Sequence, residues 1–205
     1  VEPEEVTTTE LGFKSRFFDG ALQLNGAIFK NEIDNLQVLF ISLLAGGAAQ
    51  LENAASAEIK GVELDFVANP FPEMWPGLVL FGSGAYLKGE YTSYPNGSGY
   101  DEETFLYNNG ADDYTGNETT RTPEFSGSVG FNQYFDLGPG DLELGGSYYY
   151  NSGFFYQASN TNVSKQEAYS IVDAQISYLH RDWGARLTIF GKNLTDERYA
   201  YAQFH

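Results

Sequence analysis

The sequence predicts an all-β protein, an antiparallel up-and-down meander of about eight strands. Three observations carry this. Apolar and polar residues alternate with period two over long segments, the pattern of half-buried strands. The 205 residues include 15 Tyr, 16 Phe, 2 Trp and 23 Gly, which favours strands and turns over helices. No run of 18 apolar residues is present, so no transmembrane helix is predicted.

The first strand is read from Thr7 to Phe17. A tight Phe18-Asp19-Gly20 turn leads into the second, Ala21 to about Leu44, with Leu22, Leu24 and Ile28 on one face and Gln23 and Asn25 on the other. Ala45-Gly46-Gly47-Ala48 reverses the chain into the third, about Gln50 to Ala68. There Val62, Leu64 and Phe66 oppose Gly61, Glu63 and Asp65. Asn69-Pro70 and a short Pro-rich connection precede the fourth, Gly77 to about Tyr91. The polar, acidic stretch from Thr92 to Thr122 reads as a loop. The fifth strand is about Pro123 to Phe135, and a short turn from Asp136 to Gly140 follows. The sixth is Asp141 to about Phe155, and a polar loop spans Gln157 to Gln166. The seventh is Ala168 to Leu179, with Val172, Ala174, Ile176 and Tyr178 opposite Asp173, Gln175 and Ser177. After a short His180 to Asp182 turn, the eighth runs from Trp183 to about Lys192.

Composition excludes several functions. Eleven Lys and Arg against 28 Asp and Glu give a net charge of −17, which disfavours nucleic acid or an anionic membrane surface as a partner. Zero Cys removes disulfides, thiolate metal sites and thiol catalysis. Only His180 and His205 remain for imidazole chemistry, so no His-rich metal site and no enzyme is expected. The opening VEPEEVTTTE is neither basic nor apolar, and Val1 is not a start Met. The expectation is a processed or excised chain.

Period two alone fits a soluble sandwich, with its apolar face buried, and a membrane barrel, with that face in lipid and a polar lumen. Three features favour the barrel. The turns after strands one, three, five and seven are short, whereas long polar loops follow strands four and six. In a meander this puts tight turns at one end and large loops at the other, as in outer-membrane barrels. Phe17, Phe18, Phe71, Trp75, Tyr134, Phe135, Tyr178 and Trp183 all lie beside short turns, where an interfacial aromatic girdle would sit. Strands of twelve to twenty residues also exceed the roughly five or six usual in globular sheets.

Two stretches carry a family resemblance. Asn53-Ala54-Ala55-Ser56-Ala57-Glu58-Ile59-Lys60-Gly61-Val62-Glu63-Leu64 resembles a strand motif of TonB-dependent outer-membrane receptors. Phe190-Gly191-Lys192-Asn193-Leu194-Thr195-Asp196-Glu197-Arg198-Tyr199 resembles the penultimate-strand signature of the same family. They occur in the family's order, and the resemblance covers nearly the whole chain as the C-terminal part of the barrel, part of a larger transmembrane structure of about 22 strands. It implies an outer-membrane location, contact with lipid, and import of a scarce nutrient of siderophore, vitamin or saccharide class. Coupling to TonB would run through a plug domain, and the expectation is that neither that domain nor the last strand falls within this stretch.

The residues of these motifs are read structurally. Gly61 leaves room where the wall bends or a lumen group approaches. Glu63 faces a hydrated lumen. Asn193, Leu194 and Asp196 form the turn leaving the eighth strand, and Tyr199 re-anchors the chain beyond it. Lumen and substrate-path candidates are Glu63, Asp65, Asp173, Gln175 and Arg186, which could equally pair with one another. In the long loop, Tyr94, Tyr100, Tyr107 and Tyr114 stand among Asn and Gly, the composition of adaptable recognition surfaces. The same tyrosines could simply pack the loops together. Asp101, Glu102, Asp112 and Asp113 form an acidic stretch that could ligate Ca²⁺ without matching any standard loop, or remain a solvated surface. Leu36 to Leu44 is apolar on both faces, uncharged and without Pro, an aggregation-prone segment when exposed. An alternative reading follows: an open sheet with two free edges could self-associate into an extracellular fibre.

Overall fold

The computed structural model describes residues 1–42, 48–100, 102, 104 and 106–203. Eight long strands form one antiparallel sheet in chain order: β1 (Glu5–Phe17), β2 (Leu22–Ser42), β3 (Ala48–Ala68), β4 (Leu78–Ser93), β7 (Phe125–Asp136), β8 (Gly140–Asn151), β11 (Tyr169–His180) and β12 (Ala185–Gly191). This is the predicted meander, and the sheet is open between β1 and β12. Of the turn expected at 45–48, residues 45–47 lie outside the described residues, as does the end of the 36–44 apolar segment, and Ala48 already opens β3.

The loop predicted over 92–122 contains a hairpin of its own, β5 (Gly97–Tyr100) with β6 (Tyr107–Asp112). The next long connection holds a two-residue pair, β9 (Phe154–Phe155) with β10 (Lys165–Gln166). The sixth predicted strand therefore ends at Asn151 rather than Phe155, because the chain breaks at Ser152-Gly153, where Gly153 has φ +93°.

Register decides the faces. Leu11 lies opposite Ile28, Ile28 opposite Val62, and Val62 opposite Tyr86. Farther toward the short turns, Leu80 lies opposite Phe131, and Val129 opposite Tyr148, which faces Val172. Ile176 faces both Leu144 and Ile189. One side of the sheet is thus continuously apolar, and it is open: Leu11, Ile28, Val62, Val129 and Ile189 are all roughly half exposed or more. A soluble sandwich would cover this face with a second sheet; among the described residues nothing covers it. The buried cluster lies elsewhere, in the long loops, where Tyr91, Tyr94 and Tyr114 pack on Ala55 and Ala57.

The tight end is built from turn chemistry. Phe18, Asp19 and Gly20 all have positive φ, at 55°, 54° and 93°. Gly138 (φ +83°) completes the β7–β8 turn, with its N–H on the Asp136 carboxylate at 2.9 Å. Arg181 staples two turns together. Its guanidinium binds both Asp141 carboxylate oxygens, pairs with Asp136 at 3.2 Å, and donates to Gly138 O at 3.1 Å. These carboxylates hold its pKa further above the ordinary guanidinium value. The girdle aromatics cluster at this end: Phe71 meets Trp75 edge-on at 6.3 Å, and Trp183 stacks on His180 at 4.1 Å.

Candidate functional site

The face opposite the apolar one is polar. Asn25 donates to Asp65 at 2.8 Å, and Ser83 lies opposite both Asp65 and Ser128. Glu63 occupies the same face beside Asp65, between Ala27 on β2 and Ala85 on β4. Farther along, Arg186 reaches Glu143 at 3.4 Å and Ser177 at 3.2 Å, while Tyr134 donates to Glu143 at 3.3 Å. Gln175 flanks Gly145 and Asn132. With Asp173 and Lys192 they line a shallow pocket of about 470 Å³. The five lumen candidates therefore share one face but fall into two groups, Glu63 with Asp65 on β3 and the rest on β11 and β12. Three of them have structural partners: Arg186 pairs with Glu143, Asp65 holds Asn25, and Asp173 accepts the Asn193 N–H at 2.8 Å.

The motif residues are placed as follows. Asn53 binds the N-terminal segment and the β2 bulge together: its Nδ2 donates to Glu2 O and Asn35 O, and its Oδ1 accepts from Glu2 N–H. A Cβ on Gly61 would lie 2.6 Å from Tyr86 O and 2.6 Å from Leu87 Cδ2, so neighbouring chain fills the space. Asn193 (φ +49°) clasps Glu197 through two hydrogen bonds of 2.9 Å. Asp196 (φ +52°) donates its N–H to Asn193 O at 3.0 Å, and Leu194 N–H reaches Val172 O at 2.8 Å. Tyr199 stacks on Tyr169 at 4.5 Å with rings nearly parallel.

The outer loops interlock. Asn117 Nδ2 donates to Ala158 O, Glu118 N–H to Asn160 Oδ1, and Asn160 Nδ2 back to Glu118 O. Tyr94 and Tyr114 are buried, with ring centroids 5.3 Å apart, so their rings are inside the loop cluster rather than on its surface. The side chains of Tyr100 and Tyr107 lie outside the described residues, as does Asp101. Glu102 and Asp113 serve different backbone segments. Glu102 accepts from Asn162 and Val163 N–H, and Asp113 accepts from Thr115 N–H at 2.9 Å. The Thr115 hydroxyl, and secondarily that backbone contact, hold the Asp113 carboxyl below its usual pKa. Asp112 lies in the hairpin, opposite Gly97. Among the described residues no three His, Cys, Asp or Glu gather as a metal site.

An open, two-faced meander with tight turns at one end and clasped loops at the other is the wall of a large barrel. Residues 1–194 match the family model of the TonB-dependent receptor-like β-barrel. The chain belongs to this family. Solved structures agree in fold. The ferric yersiniabactin uptake receptor FyuA of Yersinia pestis matches at TM-score 0.72 with 18% identity, covering 98% of this chain and 26% of that receptor. The ferric preacinetobactin receptor BauA of Acinetobacter baumannii gives 0.69 and 19%, over 97% of this chain and 26% of that one. The siderophore receptor PiuA of the same organism gives 0.69 and 24%, over 96% and 25%. The chain thus spans about a quarter of the length of the receptors it matches. Within the family's fold, the polar face is the lumen wall and the apolar face is the outer wall.

Proposed function

We propose that this chain is a stretch of the barrel wall of an outer-membrane receptor that imports a ferric chelate of the siderophore class, with energy supplied through TonB. The observation that carries the reading is the division of one sheet into a lipid-compatible apolar face and a lumen face of Glu63, Asp65, Asp173, Gln175 and Arg186. The class of cargo draws on the solved relatives, whose names are those of ferric-chelate and siderophore receptors. The chain's share is to line the path and to supply two clasped outer loops, whose surfaces would meet the chelate first. No catalytic arrangement is needed for this role.

The test is uptake of radiolabelled ferric chelates by cells expressing the receptor that carries this chain, with and without a working TonB system. Uptake that needs both supports the reading. Uptake that is independent of TonB, or growth rescue by a saccharide but by no iron chelate, overturns it. Regular filaments formed by the purified protein without detergent would favour the fibre alternative instead.

A further inference from the structure

The shallow pocket on the polar face is built from side chains that the wall itself leaves unused. Asn132, Gly145, Gln175 and Phe190 stand side by side on β7, β8, β11 and β12. Two residues nearer the loops, Phe81, Gly130, Ser147 and Asp173 form the next row, on β4, β7, β8 and β11. Gly145 is the floor. A Cβ there would lie 2.8 Å from Asn132 Oδ1 and 3.0 Å from Gln175 Cγ, so the two amides converge over it from either side. The Phe81 ring lies across Gly130, where a Cβ would be 2.6 Å from Phe81 Cζ. On the other flank β12 stops at Gly191, opposite Ala174, and Asn193 turns the chain at φ +49°. β11 extends to Tyr169 without that neighbour, and Lys192 is left at the notch, lining the pocket.

Among the described residues, the side chains of Asn132, Gln175 and Lys192 have no hydrogen bond or ion pair. Asp173 also lines the pocket, and its carboxylate accepts the Asn193 N–H. The uncommitted groups are therefore two amides and an ammonium, flanked by two phenyl rings. An ammonium and amide N–H groups together recognise an anionic oxygen, and charge-assisted hydrogen bonds are the strong ones. Phenyl rings add edge or offset contacts to a second aromatic ring. Phe190 is 67% exposed on a face that is otherwise polar, so its ring is available for such a contact. The volume of about 470 Å³ suits a small-molecule site, for which roughly 300–1,000 Å³ is usual.

Depth separates this pocket from the outer loops. Gly145 is near the middle of β8, six residues from Asn151, where the loop begins. That is about 20 Å along the strand and about 16 Å in height at a tilt of ~40°. A ligand held here has already left the loops.

We propose that this pocket is a relay site on the import path, and that it takes an aromatic ring bearing anionic oxygens, the aryl arm of a ferric catecholate or phenolate chelate. The ring enters between Phe81 and Phe190, and its oxygens face Lys192, Gln175 and Asn132. The proposal rests on the reading that this face lines the path of an imported ferric chelate. Catecholate dianions leave a ferric complex anionic, whereas hydroxamate monoanions leave it neutral and ring-free, so the pocket distinguishes the two.

The test uses cells expressing the receptor that carries this chain and two radiolabelled cargoes, a ferric tris-catecholate and a ferric tris-hydroxamate. Binding to de-energised cells reads the outer loops, and uptake by energised cells reads the whole path. Lys192→Gln should slow uptake of the catecholate chelate about tenfold, the scale of one lost charge-assisted hydrogen bond, with surface binding unchanged. Lys192→Arg should restore uptake. Gly145→Ala, which fills the floor without touching a charge, should slow the catecholate chelate as well. Neither Lys192→Gln nor Gly145→Ala should slow the hydroxamate chelate. Unchanged catecholate uptake in both variants overturns the site, and so does an equal loss for both cargoes. Entry without TonB of a bulky antibiotic that the wild type excludes would show that the pocket seats the plug domain, which also overturns it. A Gln variant that fails to fold is detected by its thermal melt, and Gly145→Ala then decides. If the wild type imports other ferric chelates but not the catecholate one, the pocket assignment falls and the import reading stands. If no ferric chelate enters through TonB, the import reading itself falls.

Discussion

Placing a charge on the outer face should cost stability according to its depth, and the register supplies the depths. Leu78 and Tyr86 bound the apolar side of β4. Eight steps of about 3.4 Å separate them, roughly 27 Å along the strand and about 21 Å in height at ~40° tilt. Gly82 is midway, and its partner across the sheet is Val129, which is 50% exposed. Val129→Arg therefore puts a guanidinium near the bilayer midplane, at a cost of ~2–4 kcal/mol. At ~3 kcal/mol this is roughly a 150-fold loss in the folded-to-unfolded ratio. Ser128 is the adjacent residue and faces the lumen, 3.3 Å from the Ser83 hydroxyl. Arginine there remains hydrated, and Ser128→Arg should cost under about 1 kcal/mol. Leu187, opposite Tyr178 near the tight turns, is an interfacial control, and Leu187→Arg should cost ~0–1 kcal/mol. The assay is guanidinium unfolding of the receptor in lipid vesicles, followed by tryptophan fluorescence. If Val129→Arg were no costlier than Ser128→Arg, the assignment of the two faces would be refuted.

Further outcomes follow from individual contacts. Gly61→Ala should destabilise by ~1–3 kcal/mol, because its Cβ would be 2.6 Å from a backbone oxygen, whereas Gly84→Ala, with no atom nearer than 3.7 Å, should be close to neutral; denaturant midpoints compare them. Asn193→Ala removes both hydrogen bonds to Glu197 from a residue with φ +49°, and should cost ~1–3 kcal/mol, read by the same unfolding experiment. Asp113 has a folded pKa below its unfolded value, so its contribution is present above about pH 4 and lost as pH falls through the folded value. Hydrogen exchange at the Thr115 amide should accelerate over that acidic window, and Asp113→Asn should remove the pH dependence.

The strands were legible because period two survives wherever one face meets an apolar medium and the other water. Within each strand, Glu63 and Asp65 separate from Val62 and Leu64, Asp173 and Gln175 from Val172 and Ile176, and Arg186 from Leu187, by parity alone. The loop interior was not legible. Gly97–Tyr100 and Tyr107–Asp112 show no alternation, yet they pair, close to the buried Tyr94 and Tyr114. Tyr among Asn and Gly reads equally as a recognition surface or as loop packing. What separates these is contact between segments far apart in the chain, such as Asn117 with Ala158.

A charged ladder on β2, β3 and β4 lies between these cases. Its parts are three short strings, Lys30-Asn31-Glu32, Glu58-Ile59-Lys60 and Lys88-Gly89-Glu90. Alone, each is an ordinary same-face ion pair on a strand. Their order is informative: Lys-first, Glu-first, Lys-first on successive strands. Antiparallel strands reverse direction, so that alternation places all three lysines toward the same end of the sheet. The missing quantity is the stagger between strands, which a β-bulge between Ile33 and Gln37 alters on the way to the β2–β3 turn. The long β2–β3 pairing settles it, bringing Lys30 opposite Lys60 and Glu32 opposite Glu58. A shift of two residues would have preserved every face and set one lysine against one glutamate, leaving the other two charges opposite different partners. The folded register instead aligns like with like across the strands, so the neutralising contacts run along the strands and diagonally between them, as Lys30 with Glu32 and Glu58 shows.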